Sequence, residues 1–192
     1  MLNLESMKRI YIEMLQEATP FLKKGKNKDF VIHTKWVIKS MEILLEKEKG
    51  DENILIPAAI LHDTGWSKVS LNLQKIMRGP KAKKALKLHL EYCPPIAKKI
   101  LNSLKYDKTE IKEIISVILA HKFKNPQNLN KRLLIDADTL SDTFKEPFYE
   151  DVRQYKITPK ENYDIRKENK FYTKTAKIIF NKELAKRREE LD

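Results

Sequence analysis

The sequence predicts an all-α protein, a single-domain helical bundle with a C-terminal helical extension. Three observations carry this. Apolar residues recur at helical spacing along most of the chain. Only 4 glycines and 8 prolines punctuate 192 residues, too few turn formers for many short strands. No hairpin signal, internal repeat or low-complexity tract breaks the pattern. A hydrophobic fraction of 41% over this length is enough for a proper core.

The elements follow in order. Residues 4–19 carry Leu4, Met7, Ile10, Ile12, Met14 and Leu15, a usable helix face. KKGKNK at 23–28 is a basic, solvated loop, and Asp29 suits an N-cap. From there His33, Val37, Ser40, Met41, Leu44 and Leu45 share one face of a helix that stops near Gly50. Residues 53–64 form a short, almost wholly apolar helix, which Gly65 is placed to end. Residues 66–79 have no clear period, and Pro80 suits a helix start. That helix runs through His89 until Pro94 and Pro95 break it and open another, IAKKILNSL. Thr109 is placed to cap TEIKEIISVILAHK, with Glu110 and Glu113 in its first turns. A further apolar helix spans 130–142. The last part, 159–192, is one or two helices with Tyr172, Ala176, Ile179, Phe180 and Leu184 as the buried stripe.

Composition excludes several classes. ILIPAAIL at 54–61 is far shorter than the roughly 20 apolar residues a bilayer requires, so no membrane partner is expected. The N-terminus lacks the basic start and apolar block of a signal peptide. Cys93 is the only cysteine, so no intrachain disulfide forms. These points favour the cytoplasm. The net charge of +12 suggests a nucleic-acid partner. The excess is mostly lysine, however, spread over the whole chain rather than gathered in a stripe. Background composition is therefore the preferred explanation, and the charge would still steer a phosphate-bearing substrate.

Against this background the end of the third helix stands out. IPAAILHDTGWSK at 56–68 ends an apolar run in an imidazole and a carboxylate. The chain has 4 histidines, His33, His62, His89 and His121, each within or at the end of a helix with an apolar face. One such histidine is usually a satisfied core residue. Four carry a heavy desolvation cost, which a metal ion removes because neutral imidazole is a common ligand. Asp63 adds a carboxylate, and LLIDADTL brings Asp136 and Asp138 into another apolar helix, where acids are rarely buried alone. Two residues apart on a helix, these aspartates point roughly 200° away from each other, so only one can face a shared site. Periodicity does not choose between them.

Ordered along the chain, these motifs resemble the HD superfamily of metal-dependent phosphohydrolases. HTKWV at 33–37 looks like the first ligand helix, AAILHDTG at 58–65 like the signature, and LIDADTL at 134–140 like the final motif. In that final motif the aspartate after alanine is the ligand, which selects Asp138. The resemblance covers roughly residues 30–142 and implies an HD-type metal-binding core at 29–145. Residues 1–28 would pack on it as an N-terminal helix and basic loop, and 146–192 as C-terminal helices. Trp66 stands where many members have lysine, with Lys68 nearby. No Gly-Tyr-Pro motif follows, so cyclic dinucleotide cleavage has no support.

The resemblance implies a hydrolase acting on a phosphate ester or anhydride of a small molecule, in the first instance a nucleotide. His33, His62, Asp63 and Asp138 would bind one divalent transition ion (Fe, Mn, Co, Ni or Zn). Asp63 would bridge to a second ion held by His89 and His121. His62 and Asp63 would then carry catalysis, through water activated by metal. On the substrate side, Lys122, Arg78 and Lys68 are candidates for a phosphate, with Lys81, Lys83 and Lys84 behind them. Trp66 either stacks on a base or packs its loop onto the core, and Cys93 is most simply a small buried residue. Two other readings compete. One is a non-catalytic sensor of the same fold that binds metal and a phosphorylated ligand. The other is a basic helical nucleic-acid binder, which leaves the histidines unexplained.

Overall fold

A computed structural model describes residues 7–25, 29–74, 79–120 and 126–191. Among the described residues the regular structure is helical: α1 (Arg9–Leu22), α2 (Asp29–Leu45), α3 (Glu52–Leu61), α4 (Leu71–Gln74), α5 (Pro80–Ser103), α6 (Lys108–Ala120), α7 (Leu129–Ser141), α8 (Lys145–Tyr155), α9 (Pro159–Lys167) and α10 (Lys174–Glu189). A 3-10 turn, Thr64–Lys68, joins α3 to α4. No described helix is long and apolar enough to cross a membrane.

The hydropathy pattern explains the centre of the bundle. α3 is buried at every position from Ile54 to Leu61, as its continuous apolar run requires. It is surrounded by α1, α2, α6 and α7. Asp51 starts it, its side chain accepting a bond from the Asn53 amide at 2.9 Å. α1 lays Tyr11, Met14, Leu15, Ala18 and Leu22 into the core, and α2 contributes Val37, Ile38, Met41 and Leu44. α1 begins at Arg9, and Leu4 lies outside the described residues. In the C-terminal part α9 opens with a full capping box between Thr158 and Glu161. α10 buries Ala176, Phe180 and Leu184 as its stripe implies, whereas Tyr172, just before it, is about one-third exposed (36%).

The structure corrects four local expectations. Pro94 and Pro95 do not break α5, which runs unbroken over 24 residues. Their rings delete the donors that would reach the carbonyls of Leu90 and Glu91. The helix continues because Cys93, Ile96, Ala97, Ile100 and Leu101 on its inner face are all buried in the core. Asp107, rather than Thr109, caps α6. It accepts the Thr109 amide at 2.6 Å, while Glu110 takes the Asp107 amide at 3.3 Å. The aperiodic 66–79 segment contains α4, and α8 occupies residues that the sequence pattern left unassigned.

Gly65 is the fourth correction. It lies inside the 3-10 turn rather than ending α3. Its role is close approach: a Cβ there would sit 2.2 Å from the His89 carbonyl oxygen and 2.8 Å from the Cys93 nitrogen. The turn after His62-Asp63 is therefore pressed directly on the backbone of α5. Cys93 seals the contact. Its thiol donates to the carbonyls of Leu61 and His62, at 3.2 and 3.3 Å, and Thr64 Oγ1 donates to the Leu61 carbonyl at 2.8 Å. Two of the carbonyls that α3 leaves open at its end are satisfied this way. Burial pushes the Cys93 thiol up to about 12, so it stays a neutral donor. The other special glycine, Gly79, takes a left-handed φ of 86° just before the Pro80 start of α5.

Gly65→Ala should lower stability by about 1–3 kcal/mol, since the new methyl meets backbone that cannot rotate away. Urea unfolding at matched metal content checks this. A midpoint equal to that of the unaltered chain would rule out the close approach.

Candidate metal centre

Three helices bring the site together. α2 supplies His33, the end of α3 supplies His62 and Asp63, and α7 supplies Asp138. One donor atom each from His33, His62 and Asp138 lies within 4.8 Å of the others, so these residues could hold a metal ion. His33 Nε2 is 3.0 Å from Asp138 Oδ1 and 3.5 Å from Asp63 Oδ2. His62 Nε2 is 3.4 Å from Asp63 Oδ2 and 3.7 Å from Asp138 Oδ1.

Neighbouring groups orient both rings. His62 Nδ1 donates to the Ala59 carbonyl at 2.8 Å, one turn back on α3. That assigns its proton to Nδ1 and presents Nε2 to the cluster as a lone pair. His33 Nδ1 sits 3.3 Å from Asp142 Oδ1 and 3.4 Å from Ser141 Oγ. Asp142 is held by Arg166 Nη1 at 3.0 Å, and Arg166 also pairs with Asp151. A carboxylate behind a ligating histidine fixes its tautomer and ring plane. Spacing could have revealed Asp142, which follows Asp138 by four residues on the same helical face. No local signal points to Arg166, which comes from the distant α9.

Asp63 lies between two groups of imidazoles. Its Oδ2 faces His33 and His62, and its Oδ1 faces His89 Nε2 at 3.7 Å. Trp66 Nε1 donates to the same Oδ1 at 3.1 Å. His89 is fully buried on α5. The Trp66 indole stacks on its ring at 4.5 Å and on Phe30 at 5.8 Å. Trp66 thus packs its turn against the core and steers Asp63. Lys68 is exposed and does not line the cavity at the site. His121, Lys122 and Arg78 lie outside the described residues.

The choice between Asp136 and Asp138 is decided by packing. Asp136 is fully buried and faces the start of α10. It accepts the Tyr172 and Thr173 amides, each at 2.8 Å, and the Thr173 hydroxyl at 2.7 Å. It anchors the C-terminal segment and leaves Asp138 to the cluster.

The donor set fits a cation. Two carboxylates share two imidazoles in a largely buried space, which leaves negative charge to be balanced. In the metal-free protein a proton on His33 does part of this. Burial opposes that charge, but the bonds to Asp138 and Asp142 outweigh it and hold His33 well above its ordinary value. Asp142 is likewise burdened by burial, yet Arg166 and His33 hold it below the usual carboxylate range.

A cavity of about 830 Å³ opens beside the cluster. His33, Asp63 and Asp138 line one part, and residues of α8 and α9 line another. Among known families, the HD domain matches residues 30–143, more than half of the chain. No curated protein and no solved structure matches the chain significantly.

Asp138→Asn should strip metal from the protein with little loss of fold, whereas Asp136→Asn should keep the metal and lower stability by roughly 1–3 kcal/mol through its lost bonds to residues 172 and 173. Elemental analysis and thermal unfolding of both variants separate the roles, and the reverse pattern would reassign the ligand. A second expectation concerns pH. A raised His33 favours the protonated fold of the metal-free protein below the ordinary imidazole value of about 6.5, and that advantage fades as pH rises through the folded value. Metal must displace the same proton, so apparent affinity should climb with pH, by up to about tenfold per unit while His33 is charged. Calorimetric titration in buffers of different ionisation enthalpy should detect the released proton. A pH-independent affinity with no proton release would contradict the arrangement.

Proposed function

This chain belongs to the HD domain family, and from that premise we infer that it is a metal-dependent phosphohydrolase cleaving a phosphate ester or anhydride of a small molecule, a nucleotide in the first instance. The observation that carries the reading is the convergence of His33, His62 and Asp138, with Asp63 between them and His89, at the wall of a cavity large enough for such a substrate.

His33, His62, Asp63 and Asp138 would hold one divalent ion, and Asp63 would also reach a second held by His89 and His121. A bound divalent ion supplies an acidified water at neutral pH and neutralises charge growing on phosphoryl oxygens. The chain's own residues do the rest. The Ala59 carbonyl and Asp142 hold the two imidazoles with Nε2 turned to the cluster. Trp66 fixes the rotation of Asp63 by binding one oxygen, so that the other meets His33 and His62. The buried flank of α3 excludes bulk water behind the ligands, which strengthens every charge interaction in front of them.

Purified protein should carry bound transition metal and hydrolyse members of a nucleotide and phosphomonoester panel in at least one of Mn, Fe, Co, Ni or Zn. His62→Ala and Asp63→Ala should each lose metal and reduce turnover by at least about a thousandfold. A two-ion centre gives about two equivalents per chain, falling toward one in His89→Ala. Full metal content in the His62 or Asp63 variant would refute the assignment. One equivalent per chain in the native protein, unchanged in His89→Ala, would reduce the centre to one ion.

A further inference from the structure

The family match ends at residue 143, yet contacts of the candidate metal centre continue beyond it. Asp142, at the C-terminal end of α7, uses its two carboxylate oxygens on two different helices. Its Oδ1 faces His33 Nδ1 on α2 at 3.3 Å, and its Oδ2 accepts from Arg166 Nη1 on α9 at 3.0 Å. The other amino group of Arg166, Nη2, pairs with Asp151 on α8. One guanidinium therefore joins α7, α8 and α9, a single residue removed from a candidate ligand. Ser141 Oγ lies 3.4 Å from the same His33 nitrogen, but it donates its proton to the Asp138 carbonyl at 2.7 Å. Asp142 is thus the charged partner behind that ring.

An arginine at the wall of such a cavity invites a simple reading, a clamp for the substrate's phosphate. Its geometry speaks against this. Nη1 and Nη2 are both engaged by carboxylates, and Nε is buried. The whole side chain is 16% exposed. What the guanidinium does instead is hold Asp142 in place. Asp142 caps the C-terminus of α7, the negative end of the helix dipole, with Asp138 one turn back. Both features disfavour a carboxylate turned inward. A planar fork that bonds two carboxylates at once fixes the rotation of each. Released from Arg166, Asp142 would turn toward solvent, and His33 would lose the partner behind its ring.

We propose that Arg166 is a positioning residue of the metal centre, acting through Asp142 to hold His33 with Nε2 toward the cluster, and that it is not a phosphate ligand. The metal affinity of this chain then depends on α9, a helix outside the stretch that matches the family. The assignment rests on the metal-dependent phosphohydrolase reading, but it can be probed without turnover. The direction of the effect separates it from bulk electrostatics. A cation beside the cluster repels a divalent ion, so charge alone predicts tighter metal binding once Arg166 is removed. Positioning predicts weaker binding, because partners behind a ligating histidine are worth about 10–100-fold in metal affinity.

The experiment has two arms on the full chain. In the first, affinities for Mn and Zn are measured by chelator competition. Arg166→Met should bind about tenfold more weakly than the unaltered chain. Arg166→Lys keeps the charge but not the fork, so it should weaken binding as well, and it carries the test if the methionine variant folds poorly. Asp142→Asn should lose a similar factor. The double variant Arg166→Met/Asp142→Asn should match Asp142→Asn instead of losing about a hundredfold, since an amide has one acceptor oxygen and cannot serve His33 and Arg166 together. In the second arm, kcat and KM are measured at saturating metal for phosphate esters that the unaltered chain cleaves. Arg166→Met should leave KM unchanged, whereas loss of a phosphate clamp would raise it. Metal binding that is unchanged or tighter in both Arg166 variants, or losses that add in the double variant, overturns the positioning role. A raised KM with metal affinity intact makes Arg166 a phosphate ligand and overturns it too. The expected affinities with no ester cleaved keep the positioning role and overturn the hydrolase. An unaltered chain that binds neither ion removes both.

Discussion

Carboxylates from α3 and α7 converge on two largely buried imidazoles at the wall of a cavity, and the rest of the architecture follows from keeping that charge tolerable. Asp63 and Asp138 approach His33 and His62 to between 3.0 and 3.7 Å. In so buried a place an unbalanced carboxylate is expensive, and its stability depends on what shares the site. A proton on His33 or a bound cation meets the same need, so the two compete. Asp142 brings a further negative charge close behind His33, and Arg166 answers it from α9. A C-terminal helix is thereby tied electrostatically to the first ligand helix, although the family match ends before it.

Holding the ligands still is a matter of backbone contact as much as of charge. The turn after His62 and Asp63 rests directly on α5, because Gly65 has no side chain to keep the two backbones apart. Cys93 and Thr64 close off the end of α3 within the same contact. The carbonyl of His89 touches this joint while its imidazole faces Asp63. One packing contact therefore sets the relative positions of the signature pair and of the candidate ligand on α5. Such a joint resists small displacements, because close-packed interiors are hardly compressible, which suits a site whose ligand distances must be fixed.

Much of this was legible in the sequence, for identifiable reasons. Helical periodicity placed His33 beside Val37 and Met41, and the unbroken apolar run marked α3 as the centre, because both signals are local and repeated. The HD motifs then tied His33, His62-Asp63 and Asp138 into one order. What stayed hidden depends on contacts distant in sequence. Asp136 and Asp138 look alike until the amides of Tyr172 and Thr173 claim the first of them. Gly65 resembles a helix stop until the His89 carbonyl is found against it. Pro94 and Pro95 obey a local rule that core burial along α5 overrides. The partnership of Arg166 with Asp142 leaves no trace in spacing at all.

The contrast between surface and cavity is the last constraint. The chain carries a net charge of +12, yet the described cavity lining holds five carboxylates and one paired guanidinium. The basic exterior gathers anions at long range, where the field of the whole chain counts and salt screens it. Inside, the local sign reverses. In the proposed function a phosphate entering the cavity would meet these carboxylates, and a divalent ion at the ligand cluster would offset them. The same carboxylates that repel a bare phosphate are the groups that concentrate a divalent cation there. In that reading Asp63 and Asp138 would make phosphate binding conditional on the cation. The acidic character of the cavity, which looks unsuited to a phosphorylated ligand when the residues are taken alone, would then be what couples the two binding events.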